Sequence, residues 1–400
     1  MATGKVRPRR SKGPVVAVTG AASGAGRLLA ARLAEREEIR KVVAVDGQRG
    51  DVPGVTWRVT DIRDPLLSGR LSDVDVLVNL DIERSPDADP RERRTHNVRG
   101  AQTVVTAAAA ARVRRVVLVT SAMVYGAEPG NEVPLAEDAP LLAEASTSIA
   151  GDFLEIEELA ATAPVTHPGL DVTVVRPAAL AGPGVDTVIT RHFEAPRLLS
   201  VKGSTPGWQF CHVEDLASAL ETVVIDDVRG PVAVGSEGWL GPDEVAEITG
   251  KRTFELPAAL TFGMAQRLHR LGMTPAPATD LHYVAYPWVV DCARLRAAGW
   301  KPLHDNAAAL RAVMEETAGR HAVVGRRVGG KEATMATAAG ATVAAIGAAA
   351  AIRRARKRRR GPPPGGGRGG PPPPRGGGAG GGPAAPGATP PGAGAGAATE

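Results

Sequence analysis

The sequence predicts an α/β fold, a doubly wound parallel sheet with a smaller C-terminal lobe, and three observations carry that reading. Short Val-rich runs alternate with helical stretches up to about residue 177. A Gly-rich turn follows the first run and opens the first helix. Beyond 177 the alternation breaks into shorter pieces rich in Pro and Gly. Strands separated by helices need right-handed crossovers, so they lie parallel with helices on both faces.

The run at 14–19 (PVVAVT) is apolar and β-branched, and Gly20 bounds it, which marks a buried strand. Residues 27–38 follow, with Leu28, Leu29, Ala31 and Leu33 on helical spacing. Further strands are expected at 42–45, 55–59, 74–80, 116–120 and 172–175, with helices between most of them, notably 98–112 and 152–162. A body of roughly 330 residues is large for one simple core. The expected division is a basic arm (1–13), a dinucleotide-binding core (14–177) and a smaller substrate lobe with sheet-completing elements (178–330). An Ala-rich helix with a basic run (331–360) and a Gly/Pro tail (361–400) complete the chain.

Composition excludes several functions. The last 40 residues hold 16 of the 48 Gly and 11 of the 33 Pro, so that tail cannot bury a core and is expected to be disordered. The net charge of +5 depends on residues 1–12 and on 353–360, where seven of eight positions are basic. Without 1–12 and 353–400 the body carries 34 basic and 42 acidic residues, which excludes a nucleic-acid-binding body. Two cysteines exclude a disulfide framework and a Cys-based zinc site, and the histidines show no metal-ligand spacing, so no metal is expected. The first 30 residues lack the apolar segment of a secretory signal, and a cytoplasmic location is expected. Residues 333–352 are uncharged and long enough for a span, but Ala, Gly and Thr make them poor at insertion. With the cations that follow, 333–360 is a candidate contact for an anionic membrane surface or a partner.

The turn after the first strand reads Thr19-Gly20-Ala21-Ala22-Ser23-Gly24-Ala25-Gly26. Glycines in that place make a tight turn, admit a pyrophosphate to the backbone and let helix and strand pack closely. The helix N-terminus then offers N–H groups and partial positive charge. Asp46 ends the second strand 20 residues after Gly26. A carboxylate there accepts from both ribose hydroxyls and repels a 2′-phosphate, which favours NAD over NADP, although Arg49 lies close by. Asp61 and Ile62, after the third strand, are placed to contact the adenine. This is the Rossmann arrangement.

Further motifs follow in order: Asp61-Ile62-Arg63-Asp64, Asn97-Val98-Arg99-Gly100, Ser121-Ala122-Met123-Val124-Tyr125-Gly126, Arg176-Pro177, Gly182-Pro183-Gly184, His212-Val213-Glu214-Asp215-Leu216 and Ala298-Gly299-Trp300-Lys301-Pro302. With the Gly-rich turn they resemble the extended short-chain dehydrogenase/reductases, the NAD-dependent epimerase/dehydratase family, and most of all its UDP-glucose 4-epimerase-like members. The resemblance runs from about Val15 to Pro302. It implies NAD as cofactor, held by Gly20, Ser23, Gly24, Ala25, Gly26, Asp46, Asp61, Ile62, Asn97, Arg176 and Pro177. It also implies a nucleotide-sugar-like substrate, transient hydride transfer and a possible homodimer. One departure is Ser23, which stands where the family has a Gly.

The family's chemistry uses a Tyr as general acid/base, a Lys four residues later and a Ser or Thr hydroxyl. A phenol near pKa 10 does little at pH 7 without a neighbouring cation. Ser121 fits the hydroxyl position, and Tyr125 matches the family's structural tyrosine. The resemblance places Thr147 at the catalytic Tyr position and Gly151 at the Lys position. No shift repairs this, because there is no Tyr between 125 and 283 and no Lys between 128 and 201. Two phosphate-binding Arg residues are also missing: Trp208, beside Gln209, stands where one is expected, and none lies between Arg270 and Arg294. Two functions follow as expectations. One is an enzyme of this family in which Ser121 or Thr147 replaces the Tyr. The other is a non-catalytic NAD-binding sensor or scaffold protein.

Overall fold

In a computed structural model of the chain, residues 13–271 and 277–320 are described, together with the backbone of 322–323 and 326–327. The expectations for residues 1–12, 331–360 and 361–400 lie outside the described residues. Six strands come first, with helices between all but β2 and β3: β1 Val15–Thr19, β2 Lys41–Asp46, β3 Thr56–Val59, β4 Val76–Asn79, β5 Arg115–Val119 and β6 Asp171–Pro177. Beyond them come β7 Ala179–Ala181, β8 Leu198–Val201, β9 Phe210–His212, β10 Pro231–Val234 and β11 Thr253–Leu256. The central sheet has seven strands in the order β3-β2-β1-β4-β5-β6-β10, and every pairing is parallel. Its seventh strand therefore comes from beyond residue 177. The strand pairs β7–β9 and β8–β11 stand apart from that sheet.

Alternation along each strand builds two apolar layers. Val15 and Ala17 of β1 face the layer that includes the helices Gly100–Ala110 and Ile149–Thr166. Val16 and Val18 face the layer of Gly24–Glu35 and Val213–Ile225. Burial on both faces is what Val-rich runs without polar alternation require. The stretch expected as one helix over 98–112 begins instead as a π-helical turn, Thr95–Arg99, that runs into Gly100–Ala110. The helix expected at 152–162 is longer, Ile149–Thr166, because the Ser148 hydroxyl caps it by accepting from the Gly151 N–H. Among the described residues no helix is long and apolar enough to cross a membrane.

A buried ionic knot ties β6 to the layer above it. The Arg176 guanidinium donates to both carboxylate oxygens of Glu157, at 2.9 and 2.7 Å, to the Tyr125 hydroxyl at 2.8 Å and to the Glu137 carbonyl at 2.9 Å. The Thr120 hydroxyl donates to Glu157 at 2.8 Å. Arg176 is therefore spent on structure, as is Tyr125, whose phenol burial pushes up. Glu157→Ala leaves the guanidinium buried without its counter-charge, and a loss of about 3–5 kcal/mol is expected in urea unfolding. A loss below about 1 kcal/mol contradicts this account of the knot.

Candidate functional site

In a doubly wound sheet ligands bind beyond the C-terminal strand ends, where the strand order reverses. Here the reversal lies between β1 and β4. A cleft of about 430 Å³ opens there, and its walls include Gly20, Ser23, Gly24, Ala25, Gly26 and Asp46. The sequence placed these six together, and the structure does too.

The local chemistry of the turn suits a pyrophosphate. A Cβ on Gly26 would stand 2.1 Å from the Gly20 carbonyl oxygen, so only glycine lets the helix meet the strand this closely. No side chain caps the N-terminus of Gly24–Glu35, and no acid occupies its first turn. Its free N–H groups and dipole are left for an anion. Asp46 is fixed by accepting from the backbone N–H of Ala22 at 3.0 Å and of Gln48 at 3.1 Å. Arg49 is exposed and does not line the cleft.

Other expected cofactor residues lie elsewhere. Ile62 is fully buried in the core, against Gly100, and Asp61 points outward to Arg63, whose hydrogen bond pulls the carboxyl down to about 2. Neither lines the cleft. Asn97 acts at one remove. Its amide oxygen accepts from the Glu83 N–H at 2.9 Å and its nitrogen donates to the Glu83 carbonyl at 3.0 Å, which fixes the loop after β4 against the cleft. Pro177 faces a smaller inner chamber.

That chamber, of about 40 Å³, includes Thr120, Ser121, Phe153, Pro177 and Trp288 in its lining. It has room for a group the size of a carboxylate and none, in this form, for a sugar ring. The Ser121 hydroxyl accepts from the Met123 N–H at 3.2 Å and lies 3.5 Å from the Pro177 carbonyl. Thr147 does not join it: the residue is exposed, outside the chamber, and its carbonyl accepts from Arg93 at 2.6 Å. At Gly151, where the resemblance placed the Lys, no side chain fits. A Cβ on Gly151 would meet the Ser146 carbonyl oxygen at 2.0 Å, so the preceding loop occupies the space a side chain would need. Gln209 supplies no cation either, and its amide is used on the Ser236 and Val290 carbonyls and the Val290 N–H.

Sequence reading missed three groups near the site. Arg84, in the loop after β4, lines both the cleft and the chamber. Its position just past a strand's C-terminal end was the available signal. Asp81 lines the cleft and bonds His96 at 2.9 Å, which raises the imidazole above its ordinary value. Beneath the helix start, Asp152 is fully buried and takes the Arg93 guanidinium at 2.8 Å. His212, Glu214 and His304, distant in sequence, also converge, with ligand atoms within 4.8 Å of one another. The His212 Nδ1 already accepts from the Glu214 N–H at 3.3 Å, so that lone pair is used.

With this geometry in view, the comparisons with known proteins are informative. The model of the NAD dependent epimerase/dehydratase family matches residues 16–233. An uncharacterized protein of Mycobacterium tuberculosis is 28% identical over 303 residues, covering 72% of this chain and 80% of that one. The UDP-glucose 4-epimerase of Thermus thermophilus, solved as a complex with NAD, is 19% identical, with a TM-score of 0.57 over 76% of this chain and 99% of that one. The enzyme WbmH of Bordetella bronchiseptica, in complex with NAD+, is 22% identical, with a TM-score of 0.55 and coverages of 76% and 99%. MoeE5, in complex with UDP-glucuronic acid and NAD, is 24% identical, with a TM-score of 0.57 and the same coverages. At these identities the solved structures speak for the fold.

Two expectations follow. Gly151→Ala lowers stability measurably, because its methyl meets backbone and not a movable side chain. An unchanged thermal midpoint contradicts the closure of this position. The second concerns Asp280, whose carboxyl burial pushes up to about 7, with Arg93 opposing the shift and Asp152 adding to it. The folded chain then holds a proton that the unfolded chain releases near pH 4. Stability therefore falls as pH rises from about 4 to 7 and this contribution is flat above that window. Asp280→Asn removes this slope, and identical urea midpoint profiles for wild type and variant contradict it.

Proposed function

The chain belongs to the NAD dependent epimerase/dehydratase family, and on that premise we propose that it binds NAD and acts through occupancy of the cleft more than through turnover. The Gly20–Gly26 turn and the open helix N-terminus would hold the pyrophosphate, and Asp46 the adenosine ribose. NAD, when bound, supplies a hydride acceptor. The observation that carries the second half of the reading is the contact at Gly151. A side chain at Gly151 would meet backbone, so this helix turn offers no cation beside the chamber to lower a phenol's pKa. Losing one general acid/base removes on the order of 10²–10⁴ in rate from each step it serves. A chamber of about 40 Å³ supports the same view, since a hexose would have to enter and turn within it.

A second reading, slow hydride exchange with a nucleotide sugar, is favoured by one observation. The Ser121 and Thr120 side chains line the chamber beside Pro177. UDP-glucuronic acid and UDP-glucose occur in the solved complexes of MoeE5, which supports a nucleotide sugar as the second ligand.

Calorimetric titration of the full chain tests the proposal. Saturable one-to-one binding of NAD is expected, with NADP weaker by about tenfold or more. Asp46→Ala is expected to weaken NAD by about tenfold or more, since a charge-assisted pair of hydrogen bonds is lost. Absence of NAD binding by the wild-type chain would sink the proposal.

A further inference from the structure

Arg84 has no counter-charge within hydrogen-bonding reach among the described residues. Its Nη2 is out of contact with solvent and has no partner, while Nη1 reaches only the Ile82 carbonyl, at 3.4 Å. The guanidinium carbon lies 5.9 Å from the centroid of the Phe153 ring. Phe153 follows Gly151 by two residues, so the positive charge rests against the helix turn where the resemblance placed a lysine. The neighbouring acids are spoken for: Asp81 bonds His96, and Glu83 accepts from the Ser85 N–H at 2.7 Å. Burial pulls the guanidinium down to about 10, against the charges of Glu83 and Asp81, and leaves it cationic at neutral pH.

The two cavities assign it a task. Arg84 is the only cation lining either of them among the described residues, and the only charged group of the inner chamber. The outer cleft presents carboxylates instead: Asp46, Asp81, Glu83 and Asp186. A charged, planar fork whose Nη2 is buried without a partner is a costly arrangement for folding alone, and a matching oxyanion removes the cost. The dinucleotide phosphates have their own place, the turn and helix N-terminus. The chamber has space for a carboxylate.

We propose that Arg84 binds a carboxylate of the second ligand in the inner chamber, beside Ser121, and so brings from the loop after β4 the positive charge that the helix Ile149–Thr166 lacks at Gly151. This deepens the reading of the cleft as an NAD site and rests on it. The ligand class is an acidic sugar, and the neutral sugar of the same nucleotide is its poorer competitor.

The test uses the full chain, first titrated with NAD and then, at saturating NAD, with UDP-glucuronic acid and UDP-glucose. Wild type is expected to prefer the glucuronic acid by about tenfold or more, the scale of one charge-assisted contact. Arg84→Met is expected to abolish that preference while NAD affinity stays within about twofold. Arg84→Lys, which keeps the charge and loses the fork, is expected to retain part of it and serves if the Met variant does not fold. A preference that survives in Arg84→Met, or no binding of UDP-glucuronic acid by wild type with or without NAD, overturns the proposal. So does a loss of about tenfold in NAD and ADP-ribose binding in Arg84→Met, because the anion is then a dinucleotide phosphate. Failure of the NAD reading itself is seen separately, in the first titration of the wild-type chain.

Discussion

The approach of Gly26 to the Gly20 carbonyl is the constraint from which the site is built. A hydrogen in place of a methyl lets the first helix start directly over the end of β1. That start is uncapped and free of acids, so its N–H groups face the crevice between β1 and β4. Asp46 is held at the crevice's far side by accepting from Ala22, a residue of the same turn. One backbone contact thus sets the helix start and the place of Asp46 together, the two parts to which the proposal assigns the pyrophosphate and the ribose. The parallel sheet supplies the rest, because it gathers the ends of β1, β2 and β4 on one edge.

The same physics acts at the start of the helix Ile149–Thr166. At Gly151 the missing Cβ admits the Ser146 carbonyl, not a ligand. Ser148 then caps the helix, and its bond to the Gly151 N–H settles where the helix begins. A lysine cannot be recovered there by substitution alone, since the loop would have to move first. Charge enters by another route. Arg84 comes from the loop after β4, which Asn97 fixes through the Glu83 backbone, and it rests against Phe153. Asn97 is better understood as the support of that loop than as a ligand of the cofactor. Arg176 likewise leaves ligand chemistry for structure, by anchoring Glu157, Tyr125 and the Glu137 carbonyl around β6.

Much of the fold was legible because it is local. Runs of Val between Gly and charged residues mark strands, and all six runs before residue 177 are strands of the central sheet, with β3 at its exposed edge. The π-helical turn at Thr95–Arg99 left no mark in the apolar spacing. In the site, Gly20 to Gly26 and Asp46 were readable from fixed spacing within one βαβ unit. Asp61 and Ile62 were not, since an acid followed by an aliphatic residue looks the same whether it faces an adenine or fills the core beside Gly100. The exposure of Thr147 was not readable either, since the path of the loop before the helix depends on the Ser148 cap. Arg84, and the meeting of His212 with His304, depend on contacts between distant segments, which spacing along the chain does not encode.

Holding a dinucleotide is separable from using it, and one turnover measurement tests that separation directly. The full chain, with one equivalent of NAD bound, is mixed separately with UDP-glucose, UDP-galactose and UDP-glucuronic acid, followed at 340 nm and sampled for conversion of the sugar. If the cofactor is held and not used, as proposed, NAD stays oxidised and neither UDP-glucose nor UDP-galactose is converted into the other over hours. Formation of NADH, or interconversion of UDP-glucose and UDP-galactose, within seconds to minutes would contradict the account. It would mean that Ser121, or another group of the chamber, moves the substrate proton efficiently.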